Sequence, residues 1–256
     1  MEITLERLKI IAGREGFNVV MIEKDYLVTY LLYLIKDLEG IYFKGGTALH
    51  KIILDHKRLS EDLDFTLTRG VKEVEKDIKS AIKGTIFEKI TYGKEVDNFT
   101  RLIVHYKLFH EEGKIFLDLN KRGKLILKPK LYEISHFYED IIPKFSVHCM
   151  DKEELLAEKV CASATRYRAR DYADLYFIIK GNKSINMSLV EKKFKVENKE
   201  FNRIDIFKNT NKVYKSWDKD LNQILKIHLD FKEVMKVISD YFDLKMEKEK
   251  LKIKNN

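Results

Sequence analysis

Cysteine is almost absent: Cys149 and Cys161 are the only two in 256 residues. Two thiols are too few for a disulfide framework, and they lack the paired short spacings of a structural zinc site. Proline and glycine are also scarce, at 2 and 11 residues, which excludes a collagen-like or linker-rich chain. No apolar run approaches the roughly 20 residues that a membrane-spanning helix needs, so no membrane partner is expected. The opening Met1-Glu2-Ile3-Thr4-Leu5-Glu6-Arg7 has neither a basic stretch nor an apolar one. No signal peptide is expected there, and the location expected is cytoplasmic.

What the chain does have is apolar material, at 45%, beside 35% charged residues. That is enough buried surface to offset the entropy of ordering, so the chain reads as globular, with one large domain or two modest ones. Lys and Arg number 49 against 41 Asp and Glu, a net charge of +8. The surplus permits a polyanionic partner such as RNA. A Lys-rich solvated surface would give the same balance. The basic segments are not interleaved with aromatics, and Lys245 to Lys254 alternates with Glu247 and Glu249.

Periodicity predicts a helix over Thr4 to Glu15, capped by Thr4, and a longer one over Met21 to Leu38, ended by Gly40. Ile41 to Lys44 reads as a strand running into Gly45-Gly46, from which a helix opens through Leu54. Asp62 to Leu67 alternates with a period of two, as a strand does. An amphipathic helix is expected from Val71 to about Ile90. Arg101 to Phe109 and Lys114 to Asn120 then form a hairpin through Glu111-Glu112-Gly113. Lys124 to Leu127 is a further strand candidate, and Pro143 and the short Phe145 to Val147 segment precede a change of character. From Asp151 onward the pattern is helical: Lys152 to Ala164, Tyr172 to Lys180, Ser188 to Phe194 and Asp230 to Glu249, with fraying expected over the last residues. The fold expected is α+β, with an antiparallel or mixed central sheet in a domain over residues 1–148 and a helical domain over 149–256.

The densest chemical signal lies between Lys44 and Asp64. Glycines at a strand-to-helix junction let backbone N–H groups approach a phosphate, and the new helix points its positive end at the same place. Thr47 adds a hydroxyl. Asp62 and Asp64, two apart on a strand, send both carboxylates to one face. Two neighbouring acids repel each other unless a cation lies between them, an arrangement suited to holding Mg²⁺ against a triphosphate. A solvated edge strand would tolerate the same pair. Asp118 supplies a third acid within the otherwise apolar Ile115-Phe116-Leu117-Asp118-Leu119. Three acids beside a Gly-Gly-Thr turn suggest phosphoryl or nucleotidyl transfer.

Lys44-Gly45-Gly46-Thr47-Ala48-Leu49, followed by Leu59-Ser60-Glu61-Asp62-Leu63-Asp64-Phe65, resembles the AbiEii/AbiGii family of nucleotidyltransferase-like toxins. So do Glu154 to Ala162, the segment Arg170-Asp171-Tyr172-Ala173-Asp174-Leu175-Tyr176 with Arg166, and the earlier Glu23-Lys24-Asp25-Tyr26. The resemblance runs from about residue 20 to residue 180. It implies a DNA-polymerase-β-like nucleotidyltransferase fold followed by helices. It also implies that Gly45, Gly46 and Thr47 cradle a nucleoside triphosphate with Ser60 close to the phosphates. Asp62, Asp64 and Asp118 would bind Mg²⁺. Lys159 would counter phosphate charge, and Asp171 would be a catalytic or orienting carboxylate. Phe116 and Leu119 stand where some members carry Lys and Trp.

Without the resemblance, Lys159 reads as a snorkelling residue beside an apolar stripe, and Arg166, Arg170, Asp171 and Asp174 read as an ion-pair network. The function expected is Mg²⁺-dependent transfer of a nucleotide to RNA, with the tRNA 3′ end as first candidate, by the toxin of a toxin–antitoxin or phage-defence pair. A monomer with an antitoxin encoded nearby is expected. Transfer to a protein or small molecule, or a catalytically silent nucleotide-binding module, are the alternatives.

Overall fold

The structure, a computed structural model, describes residues 3–87, 89–110 and 112–244. By its internal contacts the chain divides into two compact units, Met1–Asp151 and Lys152–Asn256.

The first unit opens with helix α1 (Leu5–Glu15), whose start is fixed by Thr4: its Oγ1 accepts from the Arg7 N–H at 3.2 Å. Helix α2 (Val19–Leu34) buries most of its residues. It stops short of the expected Leu38, and Gly40, at φ +70°, shapes the turn into the first strand instead of capping the helix. Strand β1 (Ile41–Lys44) leads into α3 (Gly45–Ile52), and β2 (Leu63–Leu67) returns antiparallel beside β1. After α4 (Val71–Ala81) come β3 (Lys89–Val96), β4 (Phe99–Lys107) and β5 (Glu112–Asn120), then β6 (Lys130–Glu133) and β7 (Ser146–Cys149).

These strands make one seven-stranded sheet in the order β3-β4-β5-β2-β1-β7-β6. The pairs β2–β5 and β1–β7 are parallel and the rest antiparallel, so the sheet is mixed. One face of its centre is apolar: Phe43, Leu63, Phe65, Leu102, Leu117 and Leu119 are all buried, and the rings of Phe43 and Phe65 lie 5.5 Å apart. Each such side chain contributes about 1.5–3 kcal/mol by leaving water. Alternation then forces the intervening residues onto the opposite face.

Two segments around the sheet also differ from expectation. The helix from Val71 ends at Ala81, well before Ile90, and Lys89–Val96 forms the outer strand β3. Gly84, at φ +76°, turns the chain between them, and Thr91, Tyr92 and Val96 favour extended backbone. Lys124 to Leu127 forms no strand; the strand on that side is β6, beyond Pro129. Within the expected hairpin, Glu111 lies outside the described residues, while β4 and β5 pair from Phe99↔Asn120 to Lys107↔Glu112.

The second unit is helical: α5 (Lys152–Thr165), α6 (Ala169–Lys180), α7 (Met187–Val196), α8 (Thr210–Leu221) and α9 (Phe231–Tyr241), with a 3-10 turn at Arg203–Phe207. Helix α8 was not anticipated; its buried Val213, Trp217 and Leu221 recur at helical spacing. The expected continuation of the last helix to Glu249, and the fraying after it, fall outside the described residues. Among the described residues no helix is long and apolar enough to cross a membrane.

Candidate active site

The site begins where β1 becomes α3. Gly45 holds φ +79°, a conformation that costs an L side chain about 1–2 kcal/mol. A Cβ there would lie 2.1 Å from Asp64 Oδ2, so the missing side chain makes room for that carboxylate. A Cβ at Gly46 would come within 2.9 Å of Arg58 Nη2 and 3.4 Å of Ser60 Oγ. The turn is thus packed between the acid on β2 and the segment leading to it. Thr47, 1% exposed, donates its hydroxyl proton to the carbonyl of Asp62. Its hydroxyl therefore ties α3 to the start of β2. Arg58, which the sequence reading did not single out, is buried and donates from Nη1 to the Leu59 carbonyl at 2.9 Å.

Register assembles the rest. Lys44 pairs with Asp64, Asp64 with Asp118, and Asp118 with Arg101. The polar face of the sheet therefore carries a row of four charges across β1, β2, β5 and β4: positive, negative, negative, positive. Arg101 grips Asp118 with both arms, Nε to Oδ1 and Nη2 to Oδ2, each at 2.7 Å. The hydrogen bond to Asp118 raises the pKa of the guanidinium; burial works against this, and the charges of Asp118, Asp62 and Asp64 add to it. Gly45, Gly46, Thr47, Ser60, Asp62, Asp64 and Asp118 all belong to this first unit, and the strand–turn–helix together with the sheet register brings them to one end of it.

Three neighbouring residues of α2 fasten the site's surroundings. Glu23, 3% exposed, accepts from the Phe109 N–H at 2.9 Å and bonds the ring of His110. Lys24 pairs with Glu61 at 2.7 Å, next to Asp62. Asp25 accepts from Lys51 of α3 at 2.8 Å and from the Tyr138 hydroxyl at 3.1 Å, while Thr29 accepts from Lys51 at 2.9 Å. The motif Glu23-Lys24-Asp25 is thus a bracing device.

In the second unit, Lys159 and Asp171 are brought together. The Lys159 ammonium lies 2.9 Å from Asp171 Oδ1 and 2.9 Å from Asp174 Oδ2, and Asp174 is fully buried. A buried charge demands such pairing, and here one cation serves two carboxylates. Arg166 is exposed and Arg170 half-buried. Lys193 forms a second ion-pair group with Glu154 and with Glu158, the latter at 3.0 Å. The Cys161 thiol is pushed up to about 12 by burial and by Glu158, so it is not a nucleophile.

Among the described residues no group of three or more His, Cys, Asp or Glu side chains is placed to hold a metal ion. Asp118 is taken up by Arg101, so three carboxylates do not form a ready cage. Asp62 and Asp64 are a carboxylate pair of the kind that fits Mg²⁺. That ion is commonly held by one or two carboxylates together with substrate phosphates, and a helix N-terminus able to receive those phosphates adjoins Asp64.

The model of the nucleotidyl transferase AbiEii toxin family, of type IV toxin–antitoxin systems, matches residues 30–246. No curated protein matches the chain. JHP933 from Helicobacter pylori is similar in structure, with a TM-score of 0.62 and 21% identity over 93% of this chain and 98% of the other. A putative nucleotidyltransferase from H. pylori gives 0.61 and 23%, over 92% and 99%. MenT4, a nucleotidyltransferase toxin from Mycobacterium tuberculosis, gives 0.59 and 22%, over 80% and 77%. At these identities the likeness is one of fold, and it agrees with the α+β architecture described above.

Proposed function

Because the chain belongs to the AbiEii family of nucleotidyltransferase toxins of type IV toxin–antitoxin systems, we propose that it transfers a nucleotide from a Mg²⁺-bound nucleoside triphosphate to a hydroxyl of RNA, the tRNA 3′ end first. In the reaction, the acceptor oxygen bonds to the α-phosphorus and the bond from that phosphorus to the bridging oxygen breaks. Pyrophosphate leaves with the electron pair, and the hydroxyl proton passes to solvent. When bound, Mg²⁺ supplies stabilisation of the negative charge that grows on the leaving group.

The observation that carries this reading is the packing of Asp64 into the space left by Gly45, which puts a carboxylate against a helix N-terminus. Asp62 and Asp64 hold the cation side of the triphosphate. The first N–H groups of α3, at Gly45 and Gly46, and the hydroxyl of Ser60 receive phosphate oxygens. Thr47 keeps α3 and β2 in step. Within the second unit, Lys159, paired with Asp171 and Asp174, is the candidate for countering phosphate charge, and Asp171 the candidate orienting carboxylate. The net charge of +8 favours a polyanionic acceptor.

The test is transfer of radioactive label from the α-phosphate of each of four ribonucleoside triphosphates to total tRNA with Mg²⁺, comparing wild type with Asp64→Asn. Label that depends on Asp64 supports the reading and names the base. Label on protein or on a small molecule moves the acceptor. No transfer from a folded chain that still binds a triphosphate leaves the silent module, which the engagement of Asp118 by Arg101 favours.

A further inference from the structure

The Arg101–Asp118 pair has the marks of a built device. Arg101 lies on β4 directly opposite Asp118 on β5, and its planar fork meets both carboxylate oxygens at 2.7 Å. Its guanidinium stands 5.0 Å from the ring centroid of Phe116, two residues before Asp118 on the same face. Its stem crosses Gly93 on β3, where a Cβ would come within 3.1 Å of Cγ and 3.2 Å of Cδ. The β3–β4 register shifts between Tyr92 and Glu95, at this same place. Three strands thus contribute to holding one cation, and its side chain remains 39% exposed. The fork uses Nε–H and one arm of Nη2, so three of its five N–H donors are left over.

Resting on the nucleotidyltransferase reading and deepening it, we propose that Arg101 binds a phosphate oxygen of the nucleoside triphosphate, and that Asp118 is a positioning residue that aims Arg101 and not a metal ligand. Asp64 is the register neighbour of Asp118, so a triphosphate bound through Asp62 and Asp64 reaches the next strand, where the guanidinium waits. A bidentate clamp fixes a guanidinium far better than a single contact, and a preorganised cation costs no ordering when the substrate arrives. The through-space influence of Asp62 and Asp64 on Arg101 agrees with this placement.

The sign of the electrostatics separates this role from its rivals. If Asp118 did not aim Arg101, removing its negative charge would leave triphosphate binding unchanged or tighter. If Arg101 did no more than neutralise Asp118, removing both would restore binding. The experiment uses the full chain and, as probes, the four α,β-methylene ribonucleoside triphosphates with Mg²⁺ by calorimetry, and Mn²⁺ alone by electron paramagnetic resonance.

The expectation is that Asp118→Ala, Arg101→Ala and the double variant each weaken binding of the preferred analogue by about ten- to a hundredfold, the range for losing a hydrogen bond to a charged group. The double variant should be no weaker than Arg101→Ala, and Mn²⁺ affinity should be unmoved in the double variant, which loses one charge of each sign. If Arg101→Ala fails to fold, Arg101→Lys, which lacks the fork, carries the same expectation.

The proposal is overturned if the double variant regains wild-type affinity or if Asp118→Ala binds the analogue as well as wild type. It is also overturned if the double variant loses Mn²⁺, which would make Asp118 a metal ligand. A folded wild type that binds none of the four analogues rejects the nucleotidyltransferase reading itself, a distinct result from variants that bind like wild type.

Discussion

Asp64 occupies the volume that a side chain at residue 45 would need: its Oδ2 lies 2.1 Å from where a Cβ of Gly45 would stand. Glycine is required there twice over, for its φ of +79° and for this contact. Gly45→Ala should destabilise the first unit by about 1–2 kcal/mol from the backbone alone, with a further cost from displacing the carboxylate. Because the displaced group is the proposed cation ligand, transfer should fall more steeply than stability. Urea unfolding set beside the labelled-tRNA assay measures both, and a stable, fully active Gly45→Ala would contradict the geometry.

Asp64→Asn keeps the shape and removes the charge. It should lower transfer by at least about a hundredfold, since a cation at a reacting phosphate is worth several kcal/mol. The melting temperature should stay near that of wild type, because Asp64 faces the polar side of the sheet and not its apolar core. Full activity of this variant would remove Asp64 from the site.

Lys51 and Asp25 are both 2% exposed and 2.8 Å apart. Lys51→Met leaves Asp25 buried without its cation and should cost about 3–5 kcal/mol. Lys51→Met with Asp25→Asn should recover part of the loss. Denaturant titration of the two variants checks the order, which would reverse if the pair contributed little.

His56 sits at φ +50°, and its Nε2–H donates to the Ser135 carbonyl at 3.1 Å. Burial, with the nearby Lys51, lowers its pKa from 6.5 to about 3. The unfolded chain therefore binds a proton below pH 6.5 that the folded chain refuses, so stability is lost as the pH falls from 6.5 towards 3. At pH 5.5 the loss should be about 1.4 kcal/mol. His136, also lowered by burial, adds in the same direction. Unfolding at pH 7.5 and 5.5 should show this slope. His56→Asn, which tolerates the left-handed backbone, should flatten it.

Local signals were legible and long-range ones were not. Thr4 announces α1, and the alternation of Asp62 to Leu67 announces β2, because both depend on residues a few positions apart. The acids and the Gly-Gly turn could be marked for the same reason. The segment after Ala81 is ambiguous by pattern, because Lys and Glu mixed with Val and Ile suit an exposed helix and an outer strand alike, and Gly84 decides between them. Helix α8 shows its stripe of Val213, Trp217 and Leu221 plainly once sought. The partnership of Arg101 with Asp118 spans 17 positions and depends on strand register, which composition does not carry. The same holds for Glu23 and His110, 87 positions apart.

Helix α2 meets four separate segments through three consecutive side chains, and these attachments differ in how far water can reach them. The Asp25–Lys51 pair is sealed, whereas the His110 ring that Glu23 meets keeps 30% of its exposure, and the side chains of Lys24 and Glu61 keep 23% and 22%. An ion pair open to solvent is screened by salt and yields first. The short stretch that delivers Asp62 and Asp64 is therefore tied to α2 through a pair that salt can reach, and to α3 through the buried hydroxyl of Thr47. Raising the salt concentration should loosen the first of these ties and leave the second.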